Sequence, residues 1–448
     1  MSTAPFTVPP PHWLFGSGAH IRRAPHLFFA AVAREQGGLG RFRILHRRFV
    51  SVTDADLANH VLVSGRKRYG KSFHHRNLGI IVGTGLIGSE GALWRKNRRQ
   101  IQPSFQPHAM RQVVPAVVEA VGRLFDAEWD PAIRAGTPFS AGREMQRLTL
   151  LAMGRMLFSS DIPGHETARL GATLRSSLTS LRQRNLSLVQ PPLWLPTPNN
   201  RRLLDCKRSL DAFVEGYVGE RLARPRPELP DLLNALIAAR DPETGEALSR
   251  DELVDQTKSL LLAGYETTGV ALAWALYLLA RHAEAAERLR EEVDRVLQGR
   301  TPTWDDLPGL AYTGQVINET LRLYPPLYTT ARECVEDDEV RGQAIAKGCV
   351  VVISIYGMHR NPAWGADPES FRPERFAAPD WPRRSFLPFS SGRHVCLGNN
   401  FALVEMTIAV AMIAQRYRLA CIEREPVEAM GIVGLVPSRD ILLEVTPR

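Results

Sequence analysis

A mainly α-helical fold with small β-sheets is predicted by three features of the chain. Apolar residues recur at helical spacing from about residue 106 to 330, one segment combines a helix-start signal with a long proline-free run, and short β-like runs lie near the two ends.

The best-marked helix starts at Ser249. Ser249 and Glu252 form S-x-x-E, in which hydroxyl and carboxylate satisfy each other's free backbone N–H groups, and no proline follows until Pro302. A helix from there to about Arg281 would be roughly 48 Å long at about 1.5 Å per residue, enough to cross a domain. Leu260 to Ala280 is as apolar as a membrane span, but Glu266 and two threonines near its centre favour a buried crossing helix. A carboxyl in such a place is costly unless it is paired or functional. The β-like runs are Phe42 to Thr53, Cys349 to Ile355 and Ile441 to Val445, and Pro191 to Pro198 reads as a loop with an oily surface, because proline forbids a regular helix there.

Composition narrows the class. With 44% apolar and 23% charged residues over 448 positions, the chain can bury a large core, and nothing in it marks a division, so one domain over 1–448 is expected, β-richer over about 1–70. Five widely spaced cysteines without a C-x-x-C pair suggest neither a disulfide framework nor a zinc site, which fits a cytoplasmic protein. The proline-rich N-terminus lacks a continuous apolar stretch, so no transmembrane anchor is expected. A net charge of +9 suits an acidic partner, whereas the scattered basic residues lack the patterns of a nucleic-acid reader.

Four motifs carry chemistry. Phe389-Ser-Ser-Gly392-Arg-His394-Val-Cys396-Leu-Gly398 sets a cysteine in a glycine-flanked loop ahead of a helical run. Free N–H groups and the helix dipole there would lower its pKa and suit it to bind metal. Glu319-Thr-Leu-Arg322 puts a carboxylate and a guanidinium on one helix face, and Arg375 follows within Phe371-Arg-Pro-Glu-Arg375-Phe. Ala263-Gly264-Tyr-Glu266-Thr267-Thr is the polar break in the long apolar helix, and Trp94-Arg-Lys-Asn-Arg98 spaces indole and guanidinium one turn apart. A fifth pattern, Gly83-Thr-Gly85-Leu-Ile-Gly88, satisfies G-x-G-x-x-G but lacks the acidic residue about 20 positions on that a dinucleotide site needs, so nucleotide binding is not expected.

Taken in order, these motifs resemble the cytochrome P450 family across essentially the whole chain. The resemblance implies a triangular α-rich fold with haem b between the long central helix and the cysteine loop. Cys396 would be the proximal iron ligand, with Phe389, Gly392 and Gly398 shaping its loop. Trp94, Arg98, Arg332 and His394 would hold the haem propionates, leaving Arg95, Lys96 and Arg99 as a solvated basic face open to an acidic electron donor. Glu319, Arg322 and Arg375 would form a buried triad. Ala263 and Gly264 would line the haem, Gly264 and Thr267 would let the helix bulge, and Glu266 with Thr267 would deliver protons to the reacting oxygen. Phe73, Ile87, Trp194, Ala263, Leu327, Tyr328 and Val433 would line an apolar substrate pocket.

The implied activity is insertion of one oxygen atom from O2 into a hydrophobic small molecule, with fatty-acid or terpenoid-like hydroxylation the expected kind. Only 52 residues follow Cys396, too few for a fused reductase. Electrons are therefore expected from NAD(P)H by way of a separate ferredoxin or flavodoxin and its reductase, and the chain is expected to act as a monomer. A peroxide-using haem-thiolate enzyme and a non-catalytic haem sensor or carrier are the alternatives. The Glu266-Thr267 pair argues against the first, and the lack of an output domain against the second.

Overall fold

A computed structural model describes residues 6–106, 110–111, 113–187 and 190–448. The β-like run expected over Phe42–Thr53 is a hairpin rather than one strand. β1 (Leu39–Ile44) and β2 (Arg47–Val52) pair antiparallel, Leu39 opposite Val52, and the chain reverses through Leu45 at φ +51°. No glycine or asparagine marks that turn, so alternation alone could not reveal it. β3 (Tyr69–Lys71), α1 (Phe73–Val82) and α2 (Gly91–Ile101) follow.

The helical body contains α3 (Ala141–Phe158), α4 (Gly164–Leu186), α5 (Pro198–Ala223), α6 (Arg250–Arg281) and α7 (Ala311–Leu323). The chain then returns to the sheet as β4 (Thr329–Cys334) and β5 (Val350–Ser354), giving the order β1-β2-β5-β4-β3. β2 and β5 run parallel, and the other neighbours antiparallel. Every residue of β5 is buried, hence its unbroken apolar sequence, whereas β4 carries Arg332 and Glu333 and gives no such signal. After α8 (Asn399–Arg416), the expected C-terminal strand occupies Leu442–Pro447, pairing with Tyr417–Cys421 and Phe139–Ser140.

The central helix starts where the capping box places it. Ser249 Oγ accepts the Glu252 N–H at 3.2 Å, and the Glu252 carboxylate accepts the Ser249 N–H at 2.8 Å. Although long and apolar enough to cross a bilayer, α6 has 72% of its most apolar 18-residue window buried within the protein. Trp274 anchors it: the fully buried indole stacks on Tyr324 with ring centroids 3.8 Å apart and donates to the Leu435 carbonyl at 3.0 Å. Glycine lets α3 lie close across α6. A Cβ on Gly264 would stand 2.5 Å from Met153 Sδ, and one on Gly269 would stand 3.1 Å from Gln146 Cα.

The Gly83–Gly88 segment docks on the start of α6. Asp255 accepts from the Thr84 backbone N–H at 2.6 Å and the Thr84 hydroxyl at 3.0 Å, and Gln256 accepts the Leu86 N–H at 2.8 Å. Side chains on Gly83 or Gly85 would collide with Asp255, so these glycines allow loop and helix to touch. Replacing Trp274 with alanine is expected to destabilise the protein by about 3–5 kcal/mol, the usual cost of deleting a buried aromatic. The check is the denaturant midpoint of W274A against the parent.

Candidate active site

Cys396 follows a short turn at Gly392–His394 and precedes the N-terminus of α8. Its N–H donates to the Phe389 carbonyl at 3.0 Å, which closes the loop. Gly392, at φ +71°, packs directly on the helical turn before β3, where a Cβ would lie 2.0 Å from the Leu62 carbonyl oxygen. Beside Gly398 a Cβ would meet open space, and the Gly398 N–H bonds the cysteine sulfur. The Cys396 side chain is accessible, yet burial pushes its thiol up, against the pull of that N–H and of Arg98. A cation bound at the sulfur would favour its thiolate form.

The basic residues beside the loop form no ion pair among the described residues, and Glu90, bonded to the Lys71 backbone N–H, is the carboxylate whose charge reaches Lys71 and Arg332. Trp94 packs on His394 with ring centroids 4.2 Å apart, and both His394 ring nitrogens are buried without a partner. Burial, then Arg332, Lys71, Arg393 and Arg98, push this imidazole down to about 3, so it is neutral. Buried Arg332 bonds Thr330 Oγ1 and the Ala331 carbonyl, each at 3.0 Å, with no carboxylate in ion-pair range among the described residues. Arg98 donates to the Val395 carbonyl at 3.1 Å. Sequence reasoning missed Lys71 and His75. Lys71 stands opposite Arg332 in the β3–β4 register, and its ammonium holds the carbonyls of Leu86, Ile87 and Ser89 at 2.6–3.1 Å. His75 is driven well below its ordinary pKa by burial and then by Arg332, Lys71, His74 and His394.

Of the basic face expected from Arg95, Lys96 and Arg99, Arg95 is exposed, whereas Lys96 and Arg99 are neutralised by the chain itself. Lys96 pairs with Glu246 and Glu252 at 3.2 Å each, and Arg99 forks onto Asp241 at 3.0 and 2.8 Å. These pairs tie α2 to the segment leading into α6, an arrangement that sequence distance concealed.

On α6 the polar break lies between buried residues. Ala263 is exposed, and Gly264, Glu266 and Thr267 are half-buried, while Tyr265 and Thr268 are buried. Thr267 donates to the Ala263 carbonyl at 2.6 Å, yet the helix stays α-helical from end to end. The space freed at Gly264 is occupied by Met153 of α3. Burial pushes the Glu266 carboxyl up, and Arg175 pulls it down. Of the expected pocket residues, Phe73, Ile87 and Val433 are half-buried and Leu327 is exposed. Tyr328 is buried, its hydroxyl bonded to the Ile432 carbonyl at 3.2 Å. Trp194 is 80% exposed, because Asn200 ties the Pro192 and Leu195 carbonyls inward and leaves the indole on the outside.

A sequence model of the family described as Cytochrome P450 matches residues 7–443. The chain belongs to the cytochrome P450 family. It is 35% identical to cyclooctatin synthase of Streptomyces melanosporofaciens over 91% of this chain and 88% of that protein. It is 34% identical to cyclooctat-9-en-7-ol 5-monooxygenase of the same organism, covering 93% and 89%, and 30% identical to mouse leukotriene-B4 omega-hydroxylase 3, covering 77% and 70%. This P450 is an oxidoreductase of the monooxygenase type.

The family implies haem, and the donor set fits it. An accessible thiol stands beside a buried excess of guanidinium, ammonium and imidazole groups, suited to a flat metal-binding group that carries two carboxylates.

Around Glu319 the P450 satisfies its buried charges. Glu319 bonds Arg322 at 2.7 and 2.8 Å, Arg375 at 3.0 Å and the Arg372 N–H at 2.9 Å. The other Arg322 donors reach the carbonyls of His359, Pro368 and Ser370 at 2.6–3.2 Å, so each of its N–H groups has an acceptor. His359, which sequence reasoning also missed, links this triad to the cysteine loop: one ring nitrogen meets the Arg322 carbonyl at 3.1 Å and the other accepts the Leu387 N–H at 2.9 Å. Glu319→Gln would leave two guanidinium groups without their counter-charge. A loss of about 3–5 kcal/mol is expected, read as a lower denaturant midpoint and as faster loss of haem absorbance.

Proposed function

We propose that this P450 inserts one oxygen atom of O2 into a fatty-acid-like or terpenoid-like molecule, with Cys396 as the thiolate ligand of haem b. The observation that carries the reading is the accessible cysteine beside a buried imidazole whose nitrogens are unbonded and surrounded by four cations. When bound, the haem supplies the redox chemistry that cleaves O2, which a thiolate ligand favours.

The chain's own residues then have distinct tasks. Trp94, Arg98, Arg332 and His394 bind the carboxylates of the cofactor, with Lys71 and His75 adding positive field, while Phe389, Gly392 and Gly398 shape the thiolate loop and the Glu319–Arg322–Arg375 triad supports it. Ala263 and Gly264 place the backbone of α6 close to the reacting centre. Glu266, half-buried on α6 next to Thr267, exchanges protons, and Thr267 presents the hydroxyl that passes them on. Phe73, Ile87, Leu327 and Val433 offer apolar contact to an oily substrate. Relatives named for a cyclooctat-9-en-7-ol oxidation and for leukotriene hydroxylation support this choice of substrates. Electrons come from NAD(P)H through a separate ferredoxin or flavodoxin and its reductase, and the enzyme acts in the cytoplasm as one monomeric domain.

The test is a spin-state titration of the holoprotein with cyclic terpenoid alcohols, fatty acids and steroids, followed by turnover with a ferredoxin system. Binding and monohydroxylation within the first two groups are expected. Turnover only with peroxide would indicate the peroxygenase, and haem binding without turnover the sensor or carrier. Cys396→Ser should abolish the thiolate-type ferrous carbon-monoxide spectrum, and a retained spectrum would refute the ligand assignment. Thr267→Ala is expected to keep NAD(P)H consumption while product per electron pair falls several-fold, with peroxide accounting for the difference.

A further inference from the structure

We infer that His26 and Arg182 form an anion seat at the rim of the apolar pocket, where the carboxylate of a fatty-acid-like substrate is held. The inference rests on the proposed oxidation of fatty-acid-like or terpenoid-like molecules and deepens it by assigning the residues that prefer an acid.

Four segments meet at the seat. His26 is on the helix Pro25–Glu35, Arg182 lies in the last turns of α4, Tyr328 stands just ahead of β4, and Gly431 ends the strand Ala429–Gly431. The His26 and Tyr328 rings meet edge-on with centroids 6.2 Å apart, and the charge of Arg182 acts on the Tyr328 hydroxyl. A Cβ on Gly431 would lie 3.2 Å from His26 Nδ1 and 3.1 Å from Tyr328 Cζ, so glycine there lets the strand approach both rings.

Two donors of the seat have no acceptor. His26 is 5% exposed and its Nδ1 is buried without a partner, as is Nε of Arg182. Burial, then Arg360, push the imidazole down to about 4, so it is neutral, and with its one N–H on Nδ1 it can donate to an anion. Arg360, the other cation acting on His26, is itself bonded to Glu369 at 2.9 Å.

The end of α4 gathers positive charge that the chain does not answer. Arg22 reaches the Leu186 carbonyl, Arg182 the Arg22 carbonyl, and Arg184 the oxygens of Asn77, Pro191 and Asn200, with no carboxylate bonded to any of the three among the described residues. The dipole at a helix C-terminus accounts for cations near its last carbonyls. It does not account for a guanidinium N–H buried with no acceptor, which is costly until an anion binds.

Position ties the seat to the substrate. Tyr328 donates to the Ile432 carbonyl at 3.2 Å, and the chain neighbours of this pair, Leu327 and Val433, are two of the apolar contacts proposed above. An apolar chain can therefore leave the seat along residues already assigned to an oily molecule. Tyr328 and Arg332 are separated by about 13 Å of extended chain, at about 3.3 Å per residue, so a head group in the seat does not compete with the cofactor's carboxylates. A neutral terpenoid alcohol meets the same donors but leaves the guanidinium charge unanswered, and for that reason the acid is the better ligand.

The test compares calorimetric Kd values of the holoprotein for dodecanoic acid and dodecanol, which share an apolar body and differ in the head. The acid is expected to bind at least about ten-fold more tightly, the difference made by charge-assisted hydrogen bonding. Arg182→Leu and His26→Phe should each weaken the acid several-fold while leaving the alcohol unchanged, and Arg182→Lys should recover part of the loss. Haem content and the ferrous carbon-monoxide spectrum report the folding of each variant. Arg182 is half-buried, so its variants keep the test decisive even where His26→Phe does not fold. Equal affinity for acid and alcohol in the parent, or a matched loss of both in the Arg182 variants, would overturn the seat, and hydroxylation of either compound would show that the proposed activity stands without it. If the holoprotein neither binds nor oxidises fatty acids, fatty alcohols or terpenoid alcohols, the proposed activity fails and the seat falls with it.

Discussion

Burying the middle of a 32-residue apolar helix together with a carboxyl and two threonines is the constraint around which this protein is built. A helix of such length crosses the protein, and each polar group on it must find a partner, face a ligand or raise the free energy. α3 meets the first need by lying close against α6, which glycines at 264 and 269 permit, and by bringing Gln146 and Thr149 to the polar break. Ala263 is exposed there, and Gly264, Glu266 and Thr267 are half-buried, within an element that is α-helical throughout.

Two sets of buried charges show different solutions to one problem. Around Glu319 each donor of Arg322 has an acceptor and the carboxylate is shared with Arg375, so the cluster is closed and has nothing left to offer a ligand. Around His394 the cations outnumber the carboxylates, the imidazole is forced neutral, and Arg332 reaches only a hydroxyl and a carbonyl. Desolvated positive charge of that kind is costly unless an anion binds. The first cluster is thus closed and the second has donors left to offer, and His359 links the first to the segment leading into the cysteine loop through Arg322 and Leu387.

What could be read from the sequence follows from how local each signal is. The capping box at Ser249, the cysteine loop and the E-x-x-R pair are short-range patterns, and the structure has Ser249 capping α6 and Glu319 bonding Arg322. Features that depend on pairing between distant segments could not be read. Lys71 meets Arg332 only through the β3–β4 register, and Lys96 and Arg99 meet their carboxylates about 150 residues away, so two of the three cations of a face that looks basic in sequence are paired in space. Trp194 shows the same limit: its apolar character is plain in sequence, but the side it faces is decided by Asn200 holding the loop carbonyls.

The Gly83–Gly88 segment shows why a motif has to be judged by its physics. In a dinucleotide site the glycines let backbone N–H groups approach a phosphate. Here the same spacing lets the Thr84 N–H approach an anion of the chain's own, the carboxylate of Asp255, while Gln256 takes the next free N–H at Leu86. Asp255 is bound in turn by Lys258, which also reaches Asp211 of α5. The glycine pattern therefore fastens the loop to α6, and through Lys258 to α5, so that Leu86 and its neighbour Ile87 are held where the central helix begins. A nucleotide phosphate would have to displace a carboxylate already bonded to the loop and to a lysine, and for that reason the fingerprint works here as a structural joint.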